Sequence, residues 1–92
     1  MQFIHEPARL VVLSHLASIK TADFVFLLNS TELSRGNLSV QMSRMEEKGL
    51  VTVLKQFNGN RPQTIYEITR KGRAVLKKYR TEILDLLQDL PL

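Results

Sequence analysis

The stretch SRGNLSVQMSRMEEKG, residues 34–49, constrains this chain more than any other. Ser34 offers a side-chain oxygen to the free backbone N–H groups of a helix start. Gly49 is placed to stop that helix, and Lys48 in its last turn suits the negative end of the helix dipole. Leu38, Met42 and Met45 recur at i, i+4 and i+7, so they share one face. The spacing predicts one helix over 35–48 that lays this stripe on a core. Gly36, Asn37, Val40, Ser43 and Arg44 fall on the opposite side. A plain solvent face is richer in Lys and Glu. A helix entering a DNA major groove needs small residues for close approach and planar donors for base edges. Taken alone, the helix leaves both readings open, a groove-reading face or a solvated face that carries few charges.

The flanking segments give that helix its setting. Pro7 suits a first helical position, and no Gly or Pro interrupts the chain from there to Ile19, so a helix is expected over 7–19. Leu10, Leu13 and Ala17 make one apolar face. Val12, Leu16 and Ile19 make another, and Phe3 and Ile4 precede the helix. A helix apolar on two sides must bury both. The second side is assigned to a subunit contact or to cover from the C-terminal segment. Thr21-Ala22-Asp23 is a break rich in capping residues, and Phe24 is read as a very short strand. A short helix over 25–31 follows, with Leu27 and Leu28 as core positions. Leu33 is the apolar residue of the turn before Ser34, which completes a helix-turn-helix order.

Beyond Gly49 the pattern changes period. Val51, Val53 and Phe57 alternate with more polar residues, and Lys55 interrupts that face. Asn58-Gly59-Asn60 is a turn signal, and Thr64 to Ile68 is a second β-rich run. A hairpin is expected over 51–68, with Arg61 at a basic tip and Phe57 and Tyr66 in the core. Thr69 is placed to cap a last helix over 70–90. In it Leu76, Tyr79, Ile83, Leu86 and Leu90 form a heptad seam, with Leu87 beside it. Some twenty residues at 1.5 Å each make a helix of roughly 30 Å, long for so small a core. Its far end is expected to pack on a second copy of the chain; the alternative is a fold back on its own domain.

Composition narrows the function. Ninety-two residues make one domain, and 13 Lys and Arg against 9 Asp and Glu leave a formal charge of +4. That balance favours a polyanionic partner, nucleic acid first and an anionic membrane surface second. The absence of cysteine removes disulfides, thiol redox chemistry and Cys-based zinc sites. His5 and His15 lack ligand spacing, so no metal and no cofactor is expected. No apolar run reaches the length of a membrane span, and MQFIHEPARL lacks the form of a secretory signal. A cytoplasmic protein without a membrane partner is expected. No nucleophile–base pair, phosphate-cradling glycine loop or pair of carboxylates suited to acid–base work is evident, so an enzyme is not expected.

The segments HEPARLVVLSHL, SRGNLSVQMSRMEEKGLV and IYEITRKGRAVLKKY, in this order and spacing, resemble the winged-helix DNA-binding regulators, and among them the small single-domain relatives of the MarR family. The likeness covers nearly the whole chain. It implies an α+β, mostly helical fold: a winged helix-turn-helix with a two-stranded wing and a long C-terminal dimerisation helix. It implies a sequence-specific transcriptional regulator that binds double-stranded DNA as a homodimer. Carried onto this chain, the groove-facing positions are Arg35, Gly36, Asn37, Ser39, Val40, Ser43 and Arg44, and Arg61 and Lys55 belong to the wing. Many MarR-type proteins have Arg where Val40 stands, and close relatives often have Gly where Glu32 stands. Larger MarR proteins build a ligand pocket from extra helices, so no small-molecule effector is implied for this chain.

The expected roles divide by chemistry. Lys48, Lys55 and Arg61 neutralise phosphates, and Ser34 and Ser39 donate to them. Asn37, Val40 and Arg44 read base edges, where Asn can pair with adenine and Arg with guanine. Glu46 and Glu47 lie toward the helix end, where they meet DNA less easily. The expected dimer interface is Phe3, Ile4, Val12, Leu16, Ile19, Leu76, Tyr79, Ile83, Leu86, Leu87 and Leu90. The rival from another class is a winged-helix protein-interaction module that binds no DNA.

Overall fold

The computed structural model describes residues 3–91. The elements run α1 (Pro7–Ile19), β1 (Thr21–Asp23), α2 (Phe24–Thr31), α3 (Arg35–Glu47), β2 (Val51–Asn58), β3 (Arg61–Ile68) and α4 (Arg70–Gln88). A side chain closes the start of every helix. Glu6 accepts from the N–H groups of Ala8 and Arg9, Asp23 from Phe26, Ser34 from Asn37 and Thr69 from Gly72. Such caps satisfy donors that have no partner inside the helix and contribute about 1 kcal/mol each.

The helix ends are equally defined. At the end of α3, Gly49 adopts φ 74°. The Gly49 N–H donates to Glu46 O and the Leu50 N–H to Met45 O, both at 2.9 Å, which is a Schellman stop. Two ends do without glycine: Lys20 after α1 has φ 72° and Glu32 after α2 has φ 60°. Glu32 stands where the resemblance expected glycine, and it adopts the left-handed backbone that glycine adopts at less cost.

The sheet holds three strands in the order β1-β3-β2, all antiparallel. The hairpin turns through Gly59 and Asn60, with Asn58 opposite Arg61 and Val51 opposite Ile68. The third strand corrects the sequence reading. Thr21-Ala22-Asp23 pairs with Ile65 to Glu67, and Phe24 is not a strand but the first residue of α2. Three residues are too short to show a period, and their partner strand lies more than forty positions away.

The core forms where α1, α2, α3 and the sheet meet, around Leu13, Leu16, Leu27, Leu38, Met42 and Met45. Ile4, Val12 and Leu16, which the sequence offered as interface residues, are 1 %, 0 % and 0 % exposed within one protomer. These three therefore have no surface left for a partner, whereas Ile19 at the end of α1 is 44 % exposed. Phe3 is half-buried against the same core, and Leu76 and Tyr79 pack on it from α4. Tyr79 also meets His5, whose Nδ1 lies 3.1 Å from the phenol oxygen.

Phe57 is a second correction. It was expected in the core and is 73 % exposed. The hairpin extends past the helices, so nothing covers its outer rungs. Taken together, four helices on a three-stranded antiparallel sheet with a projecting hairpin are the α+β winged-helix architecture expected from the sequence.

Candidate nucleic-acid interface

The two sides of α3 divide as their spacing predicts. Leu38, Met42 and Met45 are fully buried, each contributing about 2 kcal/mol by removal of apolar surface from water. Arg35, Gly36, Asn37, Ser39, Val40, Ser43 and Arg44 are all exposed. The Ser34 hydroxyl oxygen caps the helix by accepting from Asn37 N–H at 3.1 Å. Its proton stays available to an incoming acceptor.

Gly36 is informative because the fold does not require it. A Cβ added there meets no atom within 4 Å, and its backbone lies outside the left-handed region. Gly72 is the opposite case: a Cβ there would strike the Leu50 carbonyl oxygen. So Gly72 lets α4 approach the chain behind α3, whereas Gly36 leaves room for something outside the protein.

A groove of about 410 Å³ runs between α3 and the hairpin. Arg35, Ser39 and Ser43 line it from the helix, and Lys55 and Thr64 from the strands. Arg35 is steadied by Phe24, its guanidinium carbon lying 5.5 Å from the ring centroid. Phe24 in turn tilts against Tyr66 at 6.4 Å. Glu46 also lines this groove, contrary to its expected place away from it, because it follows Ser43 by three residues on the same helix face. Tyr66 borders the groove, and burial, then the Glu46 carboxylate, push its phenol pKa above the usual value.

The remaining expected residues are placed less uniformly. Arg61 is exposed at the hairpin tip, and neither its guanidinium nor that of Arg44 has a hydrogen-bond or ion-pair partner among the described residues. Lys48 is not in the groove; its ammonium lies 5.5 Å from the centroid of the Phe3 ring. Asn37 is not a free amide, since its Oδ1 accepts from Gln41 Nε2 at 3.0 Å. Gln41 and Arg9 escaped the sequence reading. The four-residue spacing of Asn37 and Gln41 was a usable signal, whereas nothing local tied Arg9 to either.

The model of the winged helix DNA-binding domain matches residues 8–87. The chain belongs to that family. This winged-helix protein is 32 % identical over 90 residues to an uncharacterized protein of Methanocaldococcus jannaschii, covering 98 % of each chain. The solved structure of a transcriptional regulator homologue from Pyrococcus horikoshii matches it with a TM-score of 0.90 at 28 % identity, over 97 % of this chain and 88 % of that one. A mutant E. coli MarR solved with operator DNA shares the fold at a TM-score of 0.69 and 24 % identity, over 77 % of this chain and 50 % of that one. Family and fold are those of DNA-binding regulators and not of enzymes. No helix among the described residues is long and apolar enough to cross a membrane.

Proposed function

We propose that this winged-helix protein regulates transcription by binding a two-fold related site on double-stranded DNA as a homodimer. In this reading α3 enters the major groove and the hairpin follows the adjacent backbone. One observation carries it: a helix face of small and donor side chains, with Gly36 open and Arg44 unpartnered, beside a groove that holds Arg35, Ser39, Ser43 and Lys55. Arg35, Lys55, Arg61 and the serine hydroxyls contact phosphates and set affinity. Asn37 and Arg44 supply hydrogen-bonding groups to base edges, and Val40 a methyl surface for thymine. The resemblance of the fold to a MarR solved with operator DNA supports the same docking.

The dimer rests on α4. Leu76, Tyr79, Ile83, Leu86 and Leu87 share one stripe at about 100° per residue, and Leu90 follows just past the helix, which ends at Gln88 rather than at the expected residue 90. Its first half packs on α1, while Leu86, Leu87 and Leu90 are 58 %, 49 % and 45 % exposed. An adjoining cleft of about 480 Å³ between α1 and α4 is lined mainly by hydrocarbon, including Leu10, Ala17, Ile83 and Leu84. A second copy that covers this stripe sets two α3 helices into successive major grooves, roughly 34 Å apart.

Selection from random duplex DNA, followed by sequencing, tests the proposal. A palindromic motif is expected. Replacing Gly36 by Gln should leave the melting temperature within a few degrees and abolish enrichment. A selection without any motif, or a Gly36→Gln variant that selects as the wild type does, would overturn the reading.

A further inference from the structure

Gln41 is 8 % exposed and is the one polar side chain on α3 counted with the buried residues. It stands one turn after Asn37, at the border between the buried stripe and the open face. Both of its amide atoms are engaged. Its Oε1 accepts from Arg9 Nε at 2.8 Å, and its Nε2 donates to Asn37 Oδ1 at 3.0 Å. Arg9 is itself held, since its Nη1 donates to the Phe3 carbonyl at 3.0 Å and its guanidinium lies 4.2 Å from the centroid of the Phe3 ring. A chain of hydrogen bonds thus runs from α1 through the core margin to the outer face of α3.

Two amides in series can run in either direction, because each can be turned end for end. Arg9 removes that freedom. A guanidinium has donors and no acceptor, so the Gln41 atom facing it is the oxygen. Gln41 then has only its NH2 to offer Asn37, and an NH2 only donates. The Asn37 atom facing inward is therefore its oxygen, and its own NH2 is left pointing outward. We infer that Arg9 and Gln41 are positioning residues that fix the polarity of Asn37, so that Asn37 presents a donor to DNA and selects a base with an acceptor on its major-groove edge.

This inference rests on the proposal that α3 reads DNA. Purine N7, guanine O6 and thymine O4 are acceptors in the major groove, whereas cytosine shows only its N4 donor. Asn37 then rejects cytosine on the strand it touches. The two-bond pairing of asparagine with adenine is also weakened, because it asks Oδ1 to take a second hydrogen while turned toward Gln41. An ordinary surface pair of Gln and Asn four residues apart has no such directional consequence.

The test is a change of preferred base. Gln41→Glu keeps the side chain's size and keeps an acceptor against Arg9, which holds it by charge as well. Both carboxylate oxygens only accept, so Asn37 has to turn its NH2 inward and its oxygen outward. Selections from random duplex DNA are run with the full chain as wild type, Asn37→Ala and Gln41→Glu. Asn37→Ala should flatten one position of the motif and so identify it. There the wild type should disfavour cytosine about tenfold, and Gln41→Glu should favour cytosine or adenine by a similar factor. Added negative charge lowers binding to all sequences alike, so base identity is the readout. In the free proteins, the Asn37 side-chain NH2 should exchange with water as an exposed amide does in the wild type, and more slowly in Gln41→Glu.

An unchanged preference at that position, or one merely flattened, overturns the inference while leaving the proposed function intact. Equal amide exchange in the two proteins overturns it without reference to DNA. Loss of every motif in the wild type removes the proposed function first and the inference with it.

Discussion

The outer face of α3 and the far end of α4 both lie open, and they are open in opposite ways. On the outer face of α3 the exposed groups are an amide, two hydroxyls, two guanidinium groups and a bare glycine, with Val40 as the one large apolar side chain. On α4 they are Leu84, Leu86 and Leu87, followed by Leu90 just past the helix end, each about half exposed. A surface of the first kind stays hydrated until a charged, hydrogen-bonding partner replaces the water. A surface of the second kind gains by losing water to any hydrocarbon of matching shape, at about 25 cal/mol for each Å². In the proposed reading one chain keeps recognition and assembly on separate helices, and exposure alone does not tell them apart. The chemistry of the exposed atoms does.

The largest expected effect breaks the assembly side alone. Leu86→Glu combined with Leu87→Glu should give a folded monomer by sedimentation, with affinity for a palindromic site reduced about a thousandfold, because a linked pair of sites becomes two single ones. Unchanged mass would remove α4 from the interface. Next in size is a change that damages both sides together. Gly72→Ala forces a methyl group against the Leu50 carbonyl, where α4 meets the stop of α3. It should lower unfolding stability by about 3 kcal/mol in urea titrations.

Smaller effects divide the recognition side within itself. Arg44→Ala should relax the preference at one base pair by about 2 kcal/mol, measured on a panel of single-base variants. Arg61→Ala should weaken all duplexes alike and reduce the salt dependence by about one phosphate. Exchange of these two outcomes would mean that the hairpin reads sequence and the helix does not. The smallest effect touches neither surface. Glu32→Gly relieves a left-handed residue between α2 and α3 and should raise stability by about 0.5 kcal/mol with DNA selection unaltered.

The sequence was legible where one local period had one outcome. The stripe of Leu38, Met42 and Met45 admits a single orientation for α3, so the residues of its exposed side follow from the spacing alone. Thr69 and Ser34 as caps, and Gly49 as a stop, are equally local signals. Legibility ended where two distant segments decide a residue's surroundings. Val12 and Leu16 are apolar whether they meet a second chain or the chain's own core, and only the closed core shows that they meet the latter. Phe57 alternates as a core residue does, yet the hairpin outruns the layer that would cover it. The hydrogen bond from Arg9 to Gln41 spans 32 positions, and no periodicity announces it.

One hydroxyl joins the two surfaces. Thr69 Oγ1 donates to Gly49 O at 2.7 Å, at the end of α3, and accepts from Gly72 N–H at 2.9 Å, at the start of α4. Behind it Thr69 N–H donates to Leu50 O at 3.0 Å. The angle between α3 and α4 is thus held by one side-chain hydroxyl and one main-chain hydrogen bond. In the proposed dimer such a joint works as a fixed gauge: it accepts half-sites at one separation and passes over the same half-sites set a few base pairs wider.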